Sequence, residues 1–575
     1  MPNFALLPSL LLVSLSAPPA PPPPPPGSTP VIPSPIAAAQ ARYGAGDYVA
    51  AAAAFHDQMT DPASGAAATA RLGLAKALYE LHYRATAKSL LLEIANAPAD
   101  PHRLDALLWI AALSRELEGD PQLPAALAAY EDAALEDERF DDVRDELYFA
   151  MGRAAYEAGD LTRALGLLSV VPERSSDYVA AQYFSGVAST RLFRGQDAVD
   201  AFKNVLRRQI ELRKQLGKKT LRRIRRFSRV RDRIDARRRP SPRAHERLQR
   251  RMARRGLTHH HLDEVAETDR YDELASLSMG YVFYQSNQLD LALEYFERLP
   301  QESPYWLDAV FAGAWTEFLL AADDPENANR HYQRTLGHVH TLAAPFFPYR
   351  LYPEAPLLEA VTYYYNCRYG SAALALDEFD ARYKVVREQL DDLLEQYPED
   401  FELLALYERT RADRRRRREI TRAVVASPEH GPEDEDDVLV GLLSDRQLAR
   451  RYEVVTSFEA ERDRLADAAP ELATGALGER LVEDLDLEIS AARETMGAAI
   501  RQRLSSASAQ IRGFEADALK IRYEILPKTI HTPADPHDRA KIRVDDGYER
   551  YAYNGEYWRD ELANYHYEIT SLCEE

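Results

Sequence analysis

Cysteine is scarce in this chain: two residues, Cys367 and Cys573, in 575. No CxxC pair and no Cys/His quartet occurs, which excludes a structural zinc site of the usual kind. There is no Gly-rich phosphate loop, no GxSxG elbow and no HExxH, so the familiar nucleotide, acyl-transfer and metalloprotease signatures are absent. Positive charge is in deficit, 72 Lys/Arg against 92 Asp/Glu, and the net charge of −20 argues against general nucleic-acid binding because an acidic surface repels phosphate. Long apolar runs are missing too. The longest, FALLPSLLLVSLS at 4–16, is too short to span a bilayer as a helix. Its position and the small residues and prolines after it match the apolar core of a secretory signal. Against that, no Lys or Arg precedes Arg42, and no cysteine follows that could carry a lipoprotein-type anchor. Residues 17–35 are proline-rich and extended, a spacer.

What the chain has is a recurrence. Gly152, Ala164 and Leu168 stand 12 and 4 residues apart, and so do Gly186, Ala198 and Phe202; Gly280, Ala292 and Phe296; and Ala360, Ala372 and Leu376. Looser copies are Ala39, Ala51, Phe55 and Ala75, Ala87, Leu91. The offset describes a helical hairpin. A small residue on the first helix lets the second cross closely at its own small residue, and the large residue one turn later fills the gap to the next hairpin. Such units cannot bury their apolar faces alone and must stack. The second-helix small residues Ala51, Ala87, Ala126, Ala164 and Ala198 are spaced by 36, 39, 38 and 34, and after an interruption Ala292, Ala328 and Ala372 continue with 36 and 44. Ala45-Gly46-Asp47, Ala158-Gly159-Asp160 and Ser286-Asn287-Gln288 supply the turns.

LYFAMGRAAYEAGDLTRALGLL (147–168) and LSMGYVFYQSNQLDLALEYF (277–296) resemble tetratricopeptide repeats, with Gly152, Gly159, Asp160, Ala164 and Leu168 at the family's positions. The resemblance covers eight copies over about 36–380, minus one insertion. It implies an all-α, right-handed solenoid whose concave groove holds peptides or partner proteins. The general layout is also similar to repeat proteins of bacterial cell envelopes.

The interruption is basic. Residues 207–255 carry 22 Lys/Arg and 4 Asp/Glu, a local charge of +18 that leaves −38 for the rest. Leu212, Leu216, Leu221, Ile224, Phe227, Val230 and Ile234 recur every three to five residues, which predicts a basic amphipathic helix up to Arg239, broken by Pro240 and Pro242. Its readings are a solvated helical extension, an anionic membrane-surface site or a site for another polyanion. Arg222, Arg223, Arg225, Arg226 and Arg229 are the candidate anion or lipid contacts. Past residue 380 the hairpin period ends. Helices are expected at 383–397 and 401–425, an acidic linker at 427–437, and two long helices at about 444–468 and 478–525 that could pair as an antiparallel coiled coil and support self-association. Tyr548, Tyr551, Tyr553, Tyr557, Trp558, Tyr565 and Tyr567 in the tail should pack on something.

The expected divisions are therefore 1–35, signal sequence and spacer; 36–206 and 266–380, the two parts of the solenoid; 207–265, the basic insertion; 381–526, the coiled-coil region; and 527–575, the aromatic tail. His259, His260 and His261 with Asp263 and Glu264 point in divergent directions and read as a solvated cap, while His338 and His340 read as a turn. Glu433 to Asp437 read as a flexible acidic linker, Arg414 to Arg418 as a solvated face, and Trp306, Trp315, Phe311 and Phe318 as repeat core. Cys367 and Cys573 are either free thiols or a bond clamping the tail to the last repeat. No catalytic residue, metal or cofactor is implied. The leading expectation is a non-enzymatic protein–protein interaction scaffold, exported to the periplasm or cell envelope. The alternatives are a membrane-peripheral or polyanion-binding adaptor, cytoplasmic in one version, and an enzyme built on a repeat scaffold.

Overall fold

The structure, a computed structural model, describes residues 34–61, 65–235, 242–344, 346–347, 351–423, 436–468, 470–529 and, in the tail, 541–543, 557, 561–569 and 571–573. The apolar and proline-rich start, the acidic residues 433–435 and the tail aromatics Tyr548, Tyr551, Tyr553 and Trp558 lie outside the described residues. The chain forms two compact units, one from 1–278 with 456–489 and one from 279–455 with 490–575.

The first unit opens with five helix pairs: α1 Pro35–Gly44 with α2 Tyr48–Thr60, α3 Ala67–Glu80 with α4 Arg84–Ala95, α5 Arg103–Glu116 with α6 Gln122–Ala128, α7 Arg144–Glu157 with α8 Leu161–Ser169, and α9 Tyr178–Arg191 with the start of α10 Gly195–Asp235. Four of them share one turn. Gly46, His82, Gly159 and Phe193 each sit two residues before the second helix with φ between 58° and 86°. The next residue's N–H bonds back five residues: Asp47 to Arg42 O, Tyr83 to Leu78 O, Asp160 to Ala155 O and Arg194 to Ser189 O, at 2.8–3.0 Å. This is the Schellman ending, which satisfies the carbonyls left over at a helix C-terminus. Asp47 and Asp160 then cap the second helix, accepting from the N–H of Ala50 and Arg163.

Glycine is needed where the pairs cross. A Cβ on Gly152 would stand 2.8 Å from Leu168 Cγ, and one on Gly186 would strike the Phe202 ring. The large residue thus covers the small one of its own hairpin. The expected reach to the next hairpin occurs at Phe55, whose ring lies where a Gly73 side chain would be.

The basic insertion is not one helix to Arg239. Gly217, at φ 70°, breaks α10, and the chain returns through α11 Pro242–Ala253 into α12 His259–Gln285. Leu212, Leu221, Ile224, Phe227 and Ile234 pack with Leu248, Met252, Leu257, Leu262 and Val265 in a small core of their own.

In the second unit the end of α12 pairs with α13 Leu289–Phe296, where Gly280 again faces the Phe296 ring. Next come α14 Trp306–Asp323 with α15 Ala328–Leu342 and α16 Glu354–Tyr365 with α17 Tyr369–Phe379. The same turn recurs at Asn287 and Cys367, with Gln288 N–H to Phe283 O and Arg368 N–H to Tyr363 O, both 2.9 Å. Ala328 opens α15 and is not buried, so the seventh hairpin does not cross at the expected residue. A turn of π-helix (Asp380–Lys384) leads to α18 Val385–Gln396, α19 Asp400–Ala423 and α20 Asp436–Leu442.

α21 Arg446–Ala466, α22 Pro470–Ala473 and α23 Gly475–Thr529 follow. α21 and α23 run antiparallel: within the first unit Arg462 pairs with Asp486 at 2.6 Å, and within the second Arg451 donates to Thr495 O at 3.5 Å. They do not form a domain apart with 381–445. Residues 456–489 belong to the first unit. In the second unit Met496, Ile500, Leu504, Ile511, Ala518 and Ile525 form a buried seam on α23, in one core with Tyr363, Leu376, Phe379 and Leu403. Short strands β1 Lys541–Arg543 and β2 His566–Glu568 pair antiparallel, Ile542 opposite Tyr567, and are the only strands among the described residues of an otherwise all-α protein.

Candidate partner-binding face

The first helices α5, α7 and α9 of successive pairs lie side by side in the first unit. Side chains on these neighbouring helices meet across them. Arg115, in the last turn of α5, pairs with Asp177 at the head of α9. Arg153 on α7 donates to Glu157 at 2.9 Å and lies 3.7 Å from Glu118. Tyr156 and Phe184 rings stand 5.3 Å apart, with the Arg191 guanidinium 5.5 Å from Tyr156. α12 adds Glu267, Arg270 and Tyr271, whose ring is 5.2 Å from Tyr183.

Glu267 is exposed, yet it is enclosed enough that loss of hydration, reinforced by the Asp177 carboxylate, pushes it up to about 7. Burial likewise raises Asp177 and Glu146, and takes Tyr271 to about 12. The face thus offers arginine forks, tyrosine rings and a carboxyl that changes charge near neutrality. Charged groups shifted by their surroundings and gathered on one surface make this face the functional candidate.

All twelve repeat-packing residues, Gly152, Ala164, Leu168, Gly186, Ala198, Phe202, Gly280, Ala292, Phe296, Ala360, Ala372 and Leu376, are buried. Of the insertion arginines, Arg222, Arg223, Arg226 and Arg229 are exposed. Arg225 is not available as expected: it makes a two-pronged pair with Asp269 at 2.6 and 2.7 Å. Cys367 and Cys573 are disulfide-bonded across 206 residues, and Leu572 N–H donates to Asn366 O beside the bond. His338 and His340 are not in a turn; both lie on α15. The His340 ring stacks on Tyr557 at 4.4 Å, and burial depresses its basicity to about 4. His261 lies near the start of α12, 2.6 Å from Thr258 Oγ1. Arg414 to Arg418 lie on α19. Trp306 is buried, whereas Trp315, Phe311 and Phe318 are half-buried.

Two buried charge clusters escaped sequence reasoning because their members are far apart. Lys88, 1% exposed, bridges Asp120 at 2.7 Å and Glu488 at 2.5 Å. Glu461, equally buried, accepts the N–H of Ala85 at 2.9 Å at the start of α4. No local pattern distinguishes either glutamate from the solvated ones around it.

No model of a known protein family matches the chain, and no curated protein matches it. Among the described residues no helix is long and apolar enough to cross a membrane. The disulfide is compatible with an oxidising compartment outside the cytoplasm.

Proposed function

We propose that the chain is a non-enzymatic interaction scaffold of the bacterial cell envelope, a divergent tetratricopeptide-type solenoid that binds partner proteins along the face of its first helices. The observation that carries this reading is the repeated hairpin: six turns with one hydrogen-bond pattern, and one small-on-large crossing used again and again. Repetition of that kind places arginine, glutamate and tyrosine side chains of successive first helices on one continuous surface. The disulfide and the signal-like start support export.

A photo-crosslinking residue in place of exposed Glu118 or Glu157, on the first-helix side, is compared in native cells with one at exposed Thr162 on α8. Adducts of defined mass from the first two positions alone are expected; adducts from Thr162 alone, or from none, refute the binding face. Fractionation with mass determination of the mature N-terminus tests export, and an intact cytoplasmic chain refutes it.

A further inference from the structure

We infer that the basic insertion is a docking module for the headgroup plane of an anionic phospholipid bilayer, bound peripherally through two arginine stripes. The choice of lipid over another polyanion rests on the envelope reading above. The stripes themselves do not.

Three observations carry it. The segment is a built unit, not a loose helical extension: after the break at Gly217 its apolar stripe closes onto α11 and α12, and Phe227 is 6% exposed. The apolar face is therefore spent inside, and the module cannot lie in a bilayer as an inserted amphipathic helix does. It can only meet anions with its outer surface.

That outer surface is organised. Arg222, Arg226 and Arg229 on α10 are exposed at i, i+4, i+7 and so lie on one helix face; Arg247 and Arg251 are exposed at i, i+4 on α11, and exposed Arg254 follows in the turn after it. Elsewhere this chain pairs such positions with opposite charges, as in Arg153–Glu157, Glu294–Arg298 and Arg387–Asp391. Like charges at this spacing destabilise a helix, and a surface anion removes that penalty.

The cations are also of one kind. Residues 207–255 contain 19 Arg and 3 Lys. Guanidinium forks match phosphate oxygens two at a time, which a diffuse solubilising surface does not need. The single Phe, Tyr or Trp of the segment, Phe227, is buried beneath Arg251 and Arg255, whose guanidinium carbons lie 5.9 and 5.8 Å from its ring centre. No ring is left for stacking on nucleic-acid bases.

The test uses the full-length chain and sedimentation with vesicles of phosphatidylcholine containing roughly one-third phosphatidylglycerol, at about 50 mM and about 500 mM salt. Binding is expected at low salt, is lost at high salt, and is absent with pure phosphatidylcholine. Each arginine near the surface is worth about fivefold in affinity, so R222Q/R226Q/R229Q is expected to weaken binding about a hundredfold. R174Q/R298Q/R512Q removes the same charge from exposed sites outside the module and is expected to change binding less than about threefold. Circular dichroism checks that both variants fold. No sedimentation at low salt, equal losses in the two variants, or tighter binding to a DNA duplex than to vesicles overturns the inference. Export can hold while vesicle binding fails, and the reverse, so the two readings fail separately.

Discussion

Phe193 stands 95% exposed with φ 58°, in the turn position that Gly46 and Gly159 occupy in sister hairpins. A side chain there carries a steric cost and gives nothing back in burial. Phe193→Gly is expected to stabilise the first unit by about 1 kcal/mol, read as a rise in the urea midpoint at unchanged slope. Gly186 tests the opposite case. Its substitution by Ala drives a methyl into the Phe202 ring and is expected to cost about 1–3 kcal/mol, whereas Gly166→Ala on α8, with nothing within 4 Å, should gain up to about 1 kcal/mol. If both substitutions shift the midpoint alike, the close crossing is not what holds the pair. Lys88 is a third residue-scale test. Lys88→Met strands Asp120 and Glu488 without their buried cation, and a loss of about 3–5 kcal/mol is expected. The glycine positions were readable as sequence because both partners sit within one hairpin. Lys88 was not, since its Glu488 partner is 400 positions away.

At the scale of elements, segment 456–489 is tied to α4 by Glu461, whose carboxyl burial pushes up to about 7. In the unfolded chain it titrates near 4.3. A raised acid binds more protons folded than unfolded over that window, so this contact is fully stabilising below about pH 4 and weakens as pH rises to about 7, by up to about 3 kcal/mol. Glu461→Gln should flatten that part of the stability profile of the first unit; an unchanged profile rejects the assignment. In the second unit His340 behaves in the reverse sense. Its folded value of about 4 lies below the usual 6.5, so its contribution is present above about pH 6.5 and is lost as pH falls towards 4. The helices themselves were legible as periodicity. The break at Gly217 was hidden in a continuous apolar stripe, and the stripe's partners on α11 and α12 decided where it turned.

For the whole molecule, the disulfide closes a loop of 206 residues and restricts the unfolded second unit. Chain-entropy reasoning gives about 5 kcal/mol for a loop of that length, so reduction should lower the unfolding midpoint of the second unit. Thiol labelling of denatured, unreduced protein should find no free thiol; two labels remove the bond and the argument for an oxidising compartment with it. The sequence by itself determined the adjacent helix pairs, their order and the crossings at Gly152, Gly186 and Gly280, because each of these rests on contacts a dozen or so residues apart whose spacing is a local property of a helix pair; at Ala126 and Ala328, which are not buried, the spacing misplaced the crossing. Only the tertiary structure decided that residues 456–489 join the first unit, that the basic segment turns its apolar stripe inward, and that Arg115, Asp177 and Glu267 meet. Those outcomes depend on where a long chain returns to itself, and the free energy of such a return resides in both partners together, so neither stretch of sequence carries it alone.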